Sequence, residues 1–163
     1  MSNAIDEFSE LYAQTASYQS KWPIGESSIV YFTRAIGDDA AVYTDAEAAR
    51  SAGYDVMIAP PTFVCETVQY SDREPDENGY IGHAWHLEAK GWRRIRGGNA
   101  YRFHQPVVAT DIVRVDWKVA SVRETKDSHG HPMVLVVSEA VYRNQHGVLL
   151  AENSETIIYR RAG

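Results

Sequence analysis

The chain has 163 residues, 44% of them apolar, and a formal net charge of −6. That length suits one domain with one core. An acidic chain with no Lys/Arg run is a poor match for nucleic acid, and no apolar stretch approaches the ~20 residues that span a bilayer.

The first residues, with Asp6, Glu7 and Glu10, lack the basic and apolar regions of a signal peptide. Cys65 is the single cysteine, so an internal disulfide is excluded. Both features point to a reducing cytoplasm. Ile5, Phe8, Leu11, Tyr12 and Thr15 recur at helical spacing and predict an amphipathic helix ending before Trp22-Pro23-Ile24-Gly25. Ser27 or Ser28 can cap a second helix that carries Ile29, Phe32, Thr33 and Ile36, with Gly37 at its exit. Thr44-Asp45-Ala46-Glu47 has capping-box spacing and opens a short Ala-rich helix closed by Gly53.

Ala59-Pro60-Pro61-Thr62-Phe63 leads into an apolar stretch. Proline is tolerated in a first helical turn because its missing N–H would be unpaired there. A buried helix is expected over 61–70. Ser71 to Gly82 is polar, contains Pro75, Asn78 and Gly79, and reads as a loop. Beyond about residue 90 the period changes to two. Val113, Val115, Trp117 and Val119 alternate with Arg114, Asp116 and Lys118, which is a half-buried strand. Met133 to Tyr142 is β-branched, Asn144-Gln145-His146-Gly147 is a turn, and Val148 to Tyr159 returns as the hairpin partner. Tyr101 to Val108 is a further strand candidate, with Pro106 near its end. Helices first and antiparallel strands later make an α+β domain over 1–163, with its core at about 8–160.

The most informative segment is Gly37-Asp38-Asp39-Ala40-Ala41-Val42-Tyr43-Thr44-Asp45. With Phe32 to Ile36 before it, Asp45 to Tyr54, Ile58 to Phe63 and Gly97 to Pro106, it resembles the MaoC-like hydratases and dehydratases. The Ala59-Pro60-Pro61-Thr62-Phe63 run looks most like the N-terminal dehydratase domain of that family. The resemblance implies a hot-dog fold, in which a curved antiparallel sheet wraps a long central helix. It also implies water addition to, or removal from, an enoyl thioester carried on coenzyme A or an acyl-carrier protein. No cofactor and no metal is implied.

In that family an Asp and a His share acid/base work around one water, and a backbone N–H holds the thioester oxygen as an oxyanion hole does. Asp38 matches the Asp. Tyr43 stands at the His position, and Ala40-Ala41 replaces Asn-Pro. Pro60 and Pro61 occupy the positions of a His-Gly pair whose Gly supplies the donor, and Pro61 has no N–H to give. Tyr43 is either a substitute acid or a residue packed in a degenerate pocket; its ordinary pKa near 10 makes it a poor base. Asp38 is a chemical group, a helix-terminal acceptor, or a residue completing a partner's site. Substrate contacts are expected at Pro61, Thr62 and Phe63, and at Gly98 and Asn99. Arg94 and Arg96, in the basic segment Trp92 to Arg96, suit either coenzyme A phosphates or a solvated strand face paired with the chain's own carboxylates.

The remaining histidines carry less. His83 and His86 lack an accompanying Cys or carboxylate at metal-ligand spacing. His129, His131 and His146 fall in turns, and His104 reads as a satisfied structural residue. Cys65 reads as a small core residue.

The expected function is that of a non-catalytic or half-catalytic subunit that shapes the acyl tunnel. It would act as a homodimer, or as a heterodimer or heterotetramer with a catalytic MaoC-like chain. The alternatives are a self-sufficient (R)-specific hydratase using Asp38 and an acyl-CoA-binding protein without chemistry. No nucleic-acid or membrane partner is expected.

Overall fold

The computed structural model describes residues 4–161 apart from 72, 76, 78, 80, 82–84 and 86–88. Among the described residues there are three α-helices, α1 (Ala4–Glu7), α2 (Glu26–Ala35) and α3 (Ala46–Ser51), and five strands. The strands are β1 (Thr15–Gln19), β2 (Trp92–Phe103), β3 (Arg114–Lys126), β4 (Pro132–Arg143) and β5 (Leu149–Arg161). They form one antiparallel sheet in the order β1-β3-β4-β5-β2.

The alternation seen in the sequence becomes the inner face of this sheet. Val115, Trp117 and Val119 of β3 are buried, as are Val134, Val136, Ser138, Ala140 and Tyr142 of β4. A register shift between Val119 and Ser121 adds one residue and returns Val122 to the buried side. Asn144 makes the expected hairpin turn, its Oδ1 accepting from the backbone N–H groups of His146 and Val148.

The start of the chain departs from expectation. Instead of one helix there is the single turn α1, a 3-10 turn at Ser9–Ala13, and strand β1. Phe8 and Leu11 are wholly buried against Val119, Val122, Val134, Val136 and Tyr159. The three-residue repeat of a 3-10 turn stacks that pair on one side. Thr15 then pairs with Lys118 and begins the strand. The Tyr12 hydroxyl donates to Val122 O at 2.9 Å and accepts from Val122 N at 3.1 Å, covering the edge of β3 beyond β1.

Two caps also differ. The N-cap of α2 is Gly25, not Ser27 or Ser28, because the Gly25 N–H is tied to Ala109 O at 2.8 Å and fixes the chain reversal. The cap of α3 is Asp45, not Thr44: its carboxylate accepts from Ala48 N at 2.7 Å. The strand expected over 101–108 lies upstream. β2 ends at Phe103, and Val108 makes an isolated bridge with Ile58. Gly97 and Gly98 sit inside it as a bulge facing Thr156 rather than breaking it.

The central helix is present over Pro61–Tyr70, wound as a 3-10 helix about 20 Å long at ~2.0 Å per residue. Val64, Thr67 and Tyr70 follow its three-residue repeat, and the Thr67 hydroxyl donates to Val64 O at 2.8 Å. Phe63 and Val64 lie in the same buried cluster as Val115, Trp117, Tyr142 and Leu150 on the sheet's inner face. A central helix against the inner face of one antiparallel sheet is the hot-dog arrangement. Among the described residues no helix is long and apolar enough to cross a membrane.

Candidate functional site

Helix α2 ends at Ala35 with Ile36 as its C-cap, and Gly37 follows with a φ of +72°, a backbone state that glycine reaches without steric cost. The turn presents Asp38 beyond the helix end. The Asp38 N–H donates to Thr33 O at 3.1 Å, and its Oδ1 accepts from Ala40 N at 2.9 Å. This is a local carboxylate-to-backbone turn, and it feeds a 3-10 turn at Ala41–Tyr43. Partial burial pushes the Tyr43 phenol above its ordinary pKa, and the Asp38 carboxylate and Tyr54 add to the shift. A phenol so placed stays protonated at neutral pH, which leaves it able to donate a hydrogen bond and unable to act as a base.

Tyr43 opens onto a cavity of about 220 Å³. One wall is Tyr43 and Tyr54. A second is Ile58, Ala59, Pro61 and Val64, which lead into the central helix. The third is the segment after β2, from Phe103 to Val107, closed by Leu150 and Ala151 of β5. The fold thus brings Tyr43 and Pro61, distant in sequence, to one space, while Asp38 does not line it. Small-ligand sites usually run to about 300–1,000 Å³, so this cavity is small for a complete one.

The other expected contact residues lie elsewhere. Thr62 is exposed beside Pro61. Phe63 is wholly buried, edge-on to Phe32 at 5.2 Å and tilted against Tyr70 at 6.2 Å. Arg94, Arg96, Gly98 and Asn99 belong to β2, an edge strand exposed along most of its length. Asn99 Oδ1 accepts from Asn153 Nδ2 at 2.9 Å, and Asn153 is 3% exposed. Arg94 and Arg96 lie within electrostatic reach of Glu155, which is 6% exposed. Burial raises the Glu155 pKa, and the two guanidinium groups oppose that rise.

His104 was not singled out by sequence reasoning as a site residue, yet it lines the cavity. Its Nε2 lies 2.9 Å from Glu152 Oε2. No signal in the sequence joins them, because the pairing depends on β2 lying beside β5. Of the other histidines, His83 and His86 lie outside the described residues. His131 pairs with Asp127 at 3.1 Å in the β3–β4 turn, and the backbone N–H groups of His129 and His131 donate to the same carboxylate. His146 is in the β4–β5 turn. Cys65 is half-buried at the edge of the core. Among the described residues no group of three metal-ligating side chains gathers.

Residues 14–153 match the model of the FAS1-like dehydratase domain region. A UPF0336 protein of Parafrankia sp. (strain EAN1pec) is 34% identical over 146 residues, which cover 88% of this chain and 89% of that one. The ChsH1-ChsH2 complex from Mycobacterium tuberculosis contains a chain that superposes with a TM-score of 0.73 at 19% identity, covering 98% of this chain and 92% of its own. The HadBC (3R-hydroxyacyl-ACP dehydratase) complex from the same organism gives a TM-score of 0.61 at 23% identity, covering 89% and 96%. At those identities the two structures bear on the fold.

Proposed function

We infer the function from membership: the chain belongs to the FAS1-like dehydratase-region family. It is proposed to be one subunit of an enoyl-thioester hydratase/dehydratase, shaping the acyl tunnel for a MaoC-like partner that supplies the Asp/His pair. The observation that carries this reading is the meeting of Tyr43 and Pro61 in one small cavity. A phenol stands where the general base is needed. A proline, with no N–H, stands where the oxyanion donor is needed.

Two further observations support a partner. Among the described residues, β2 ends the sheet and pairs on one side with β5 only. A twelve-residue strand with an open edge is normally paired or covered. The ChsH1-ChsH2 and HadBC structures, similar in fold, are themselves two-chain complexes. In this reading Arg94, Arg96, Gly98 and Asn99 lie at the junction of two sheets, where the arginines meet phosphates of the carrier. Asp38 then completes the partner's site rather than serving this chain's cavity.

The test is co-expression with a MaoC-type chain encoded beside it. The two are expected to copurify and to hydrate crotonyl-CoA much faster than this chain alone. A purified chain that hydrates crotonyl-CoA by itself at a rate typical of MaoC-like enzymes removes the reading.

A further inference from the structure

We propose that His104, held by Glu152, is a proton-transfer group in the Tyr43 cavity, giving this chain a slow hydratase centre of its own. The proposal rests on the subunit reading above and adds to it that the enoyl end of the thioester reaches this cavity. It differs in placing chemistry on residues outside the Gly37-Asp38 segment.

The geometry starts at the end of β2. The His104 N–H donates to Leu150 O at 2.9 Å, which docks the residue against β5. Glu152, two residues further along β5, lies 2.9 Å from Nε2. A carboxylate only accepts, so Nε2 carries the ring proton and donates it. In the neutral ring, Nδ1, the nitrogen that Glu152 does not engage, holds the lone pair. A carboxylate that sets the tautomer of a neutral imidazole, and stabilises it once protonated, is the arrangement that makes histidine a general base. The His104 side chain is 30% exposed, so water reaches it.

The same cavity holds the donor that the reaction needs. Tyr43 keeps its proton and can hydrogen-bond the thioester oxygen, the task that Pro61 cannot perform. In hydration, Nδ1 takes a proton from water as the water oxygen bonds to the β-carbon. The C=C electron pair moves to form the enolate, whose oxygen the Tyr43 hydroxyl stabilises. The imidazolium then returns its proton to the α-carbon. One water is consumed and His104 is regenerated.

The experiment uses the full chain, alone, with crotonyl-CoA. Binding is measured by calorimetry and hydration by loss of enoyl-thioester absorbance. The parent is expected to turn over slowly. His104→Ala should lower that rate by about 10²–10⁴-fold, the range of general acid–base catalysis, without changing the affinity. Added imidazole should restore part of the loss, which a merely structural role would not allow. His104→Gln, which keeps a donor for Glu152, should be equally slow, and Glu152→Gln slower than the parent by about 10-fold or more. His129→Ala, in the β3–β4 turn, is the control and should match the parent. A parent that binds crotonyl-CoA without turnover, or a His104→Ala variant as fast as the parent, overturns the proposal and leaves the subunit reading standing. Absence of crotonyl-CoA binding, both alone and with a MaoC-like partner, removes the subunit reading itself.

Discussion

On the subunit reading, placing an imidazole at position 43 and an amide donor at position 61 should raise this chain's own hydratase activity. Tyr43 and Pro61 line one cavity, so Tyr43→His with Pro61→Gly puts an imidazole and an amide donor back into the same space. Pro61 begins the central 3-10 helix, so the N–H that a glycine brings to this position would have no partner within the helix and would be available to a ligand. The Asp38 carboxylate already acts electrostatically on position 43, so a histidine there gains an acidic neighbour. An oxyanion donor is worth about 10²–10³ in rate, and a general acid/base about 10²–10⁴. Such groups act as a unit and do not simply multiply. A gain of about 10²-fold or more in kcat/KM is therefore the expected floor. The cost to the fold is small, because Pro61 is exposed and Tyr43 half-buried. Releasing the proline costs up to about 1 kcal/mol, or roughly 2–4 °C in Tm. The assay is crotonyl-CoA hydration by the purified chain, with thermal melts to verify folding. A folded double variant with no gain refutes the reasoning that these two positions are what the cavity lacks.

Other outcomes follow from the packing. Phe63→Ala removes a wholly buried ring from between Phe32 and Tyr70 and should cost about 3–5 kcal/mol by urea unfolding; a loss under about 1 kcal/mol contradicts its central position. Gly97→Val places a Cβ 3.0 Å from Thr156 O and 3.1 Å from Thr156 Cγ2. It should destabilise by about 1–3 kcal/mol and weaken association through β2, seen as a shift to smaller species in sedimentation. Glu155 is raised above its ordinary pKa by desolvation, against Arg96 and Arg94. The folded chain thus holds this proton more tightly than the unfolded chain. The resulting stabilisation is full below the unfolded value of about 4.3 and is lost as pH rises through the folded one. Glu155→Gln should flatten that fall and raise Tm at pH 7; a lower Tm at pH 7 would show that Arg94 and Arg96 outweigh the burial.

The strands of the second half were legible because one face is buried and the other wet. Val115 and Trp117 point inward where the alternation puts them. The start of the chain was not, because Phe8 and Leu11 satisfy a 3-10 turn as well as an α-helix, and the partner that selects β1 is a strand about 100 residues away. Gly97-Gly98, a pair that permits a bulge or a close backbone approach, does both: the register shifts there, and the missing side chain of Gly97 lets β2 run close past Thr156. At the site, local motif reading found Asp38, Tyr43 and Pro61, and the fold joined the last two. The His104–Glu152 pair depends on a cross-strand register that no local spacing records.

The most direct measurement is a titration of this chain with a MaoC-like chain encoded beside it, following crotonyl-CoA hydration per mole of partner. Shared-site assembly predicts a rate that rises with added partner and saturates at equal amounts of the two chains, far above the rate of this chain alone. A rate already typical of MaoC-like enzymes at zero partner, or one indifferent to the ratio, contradicts it.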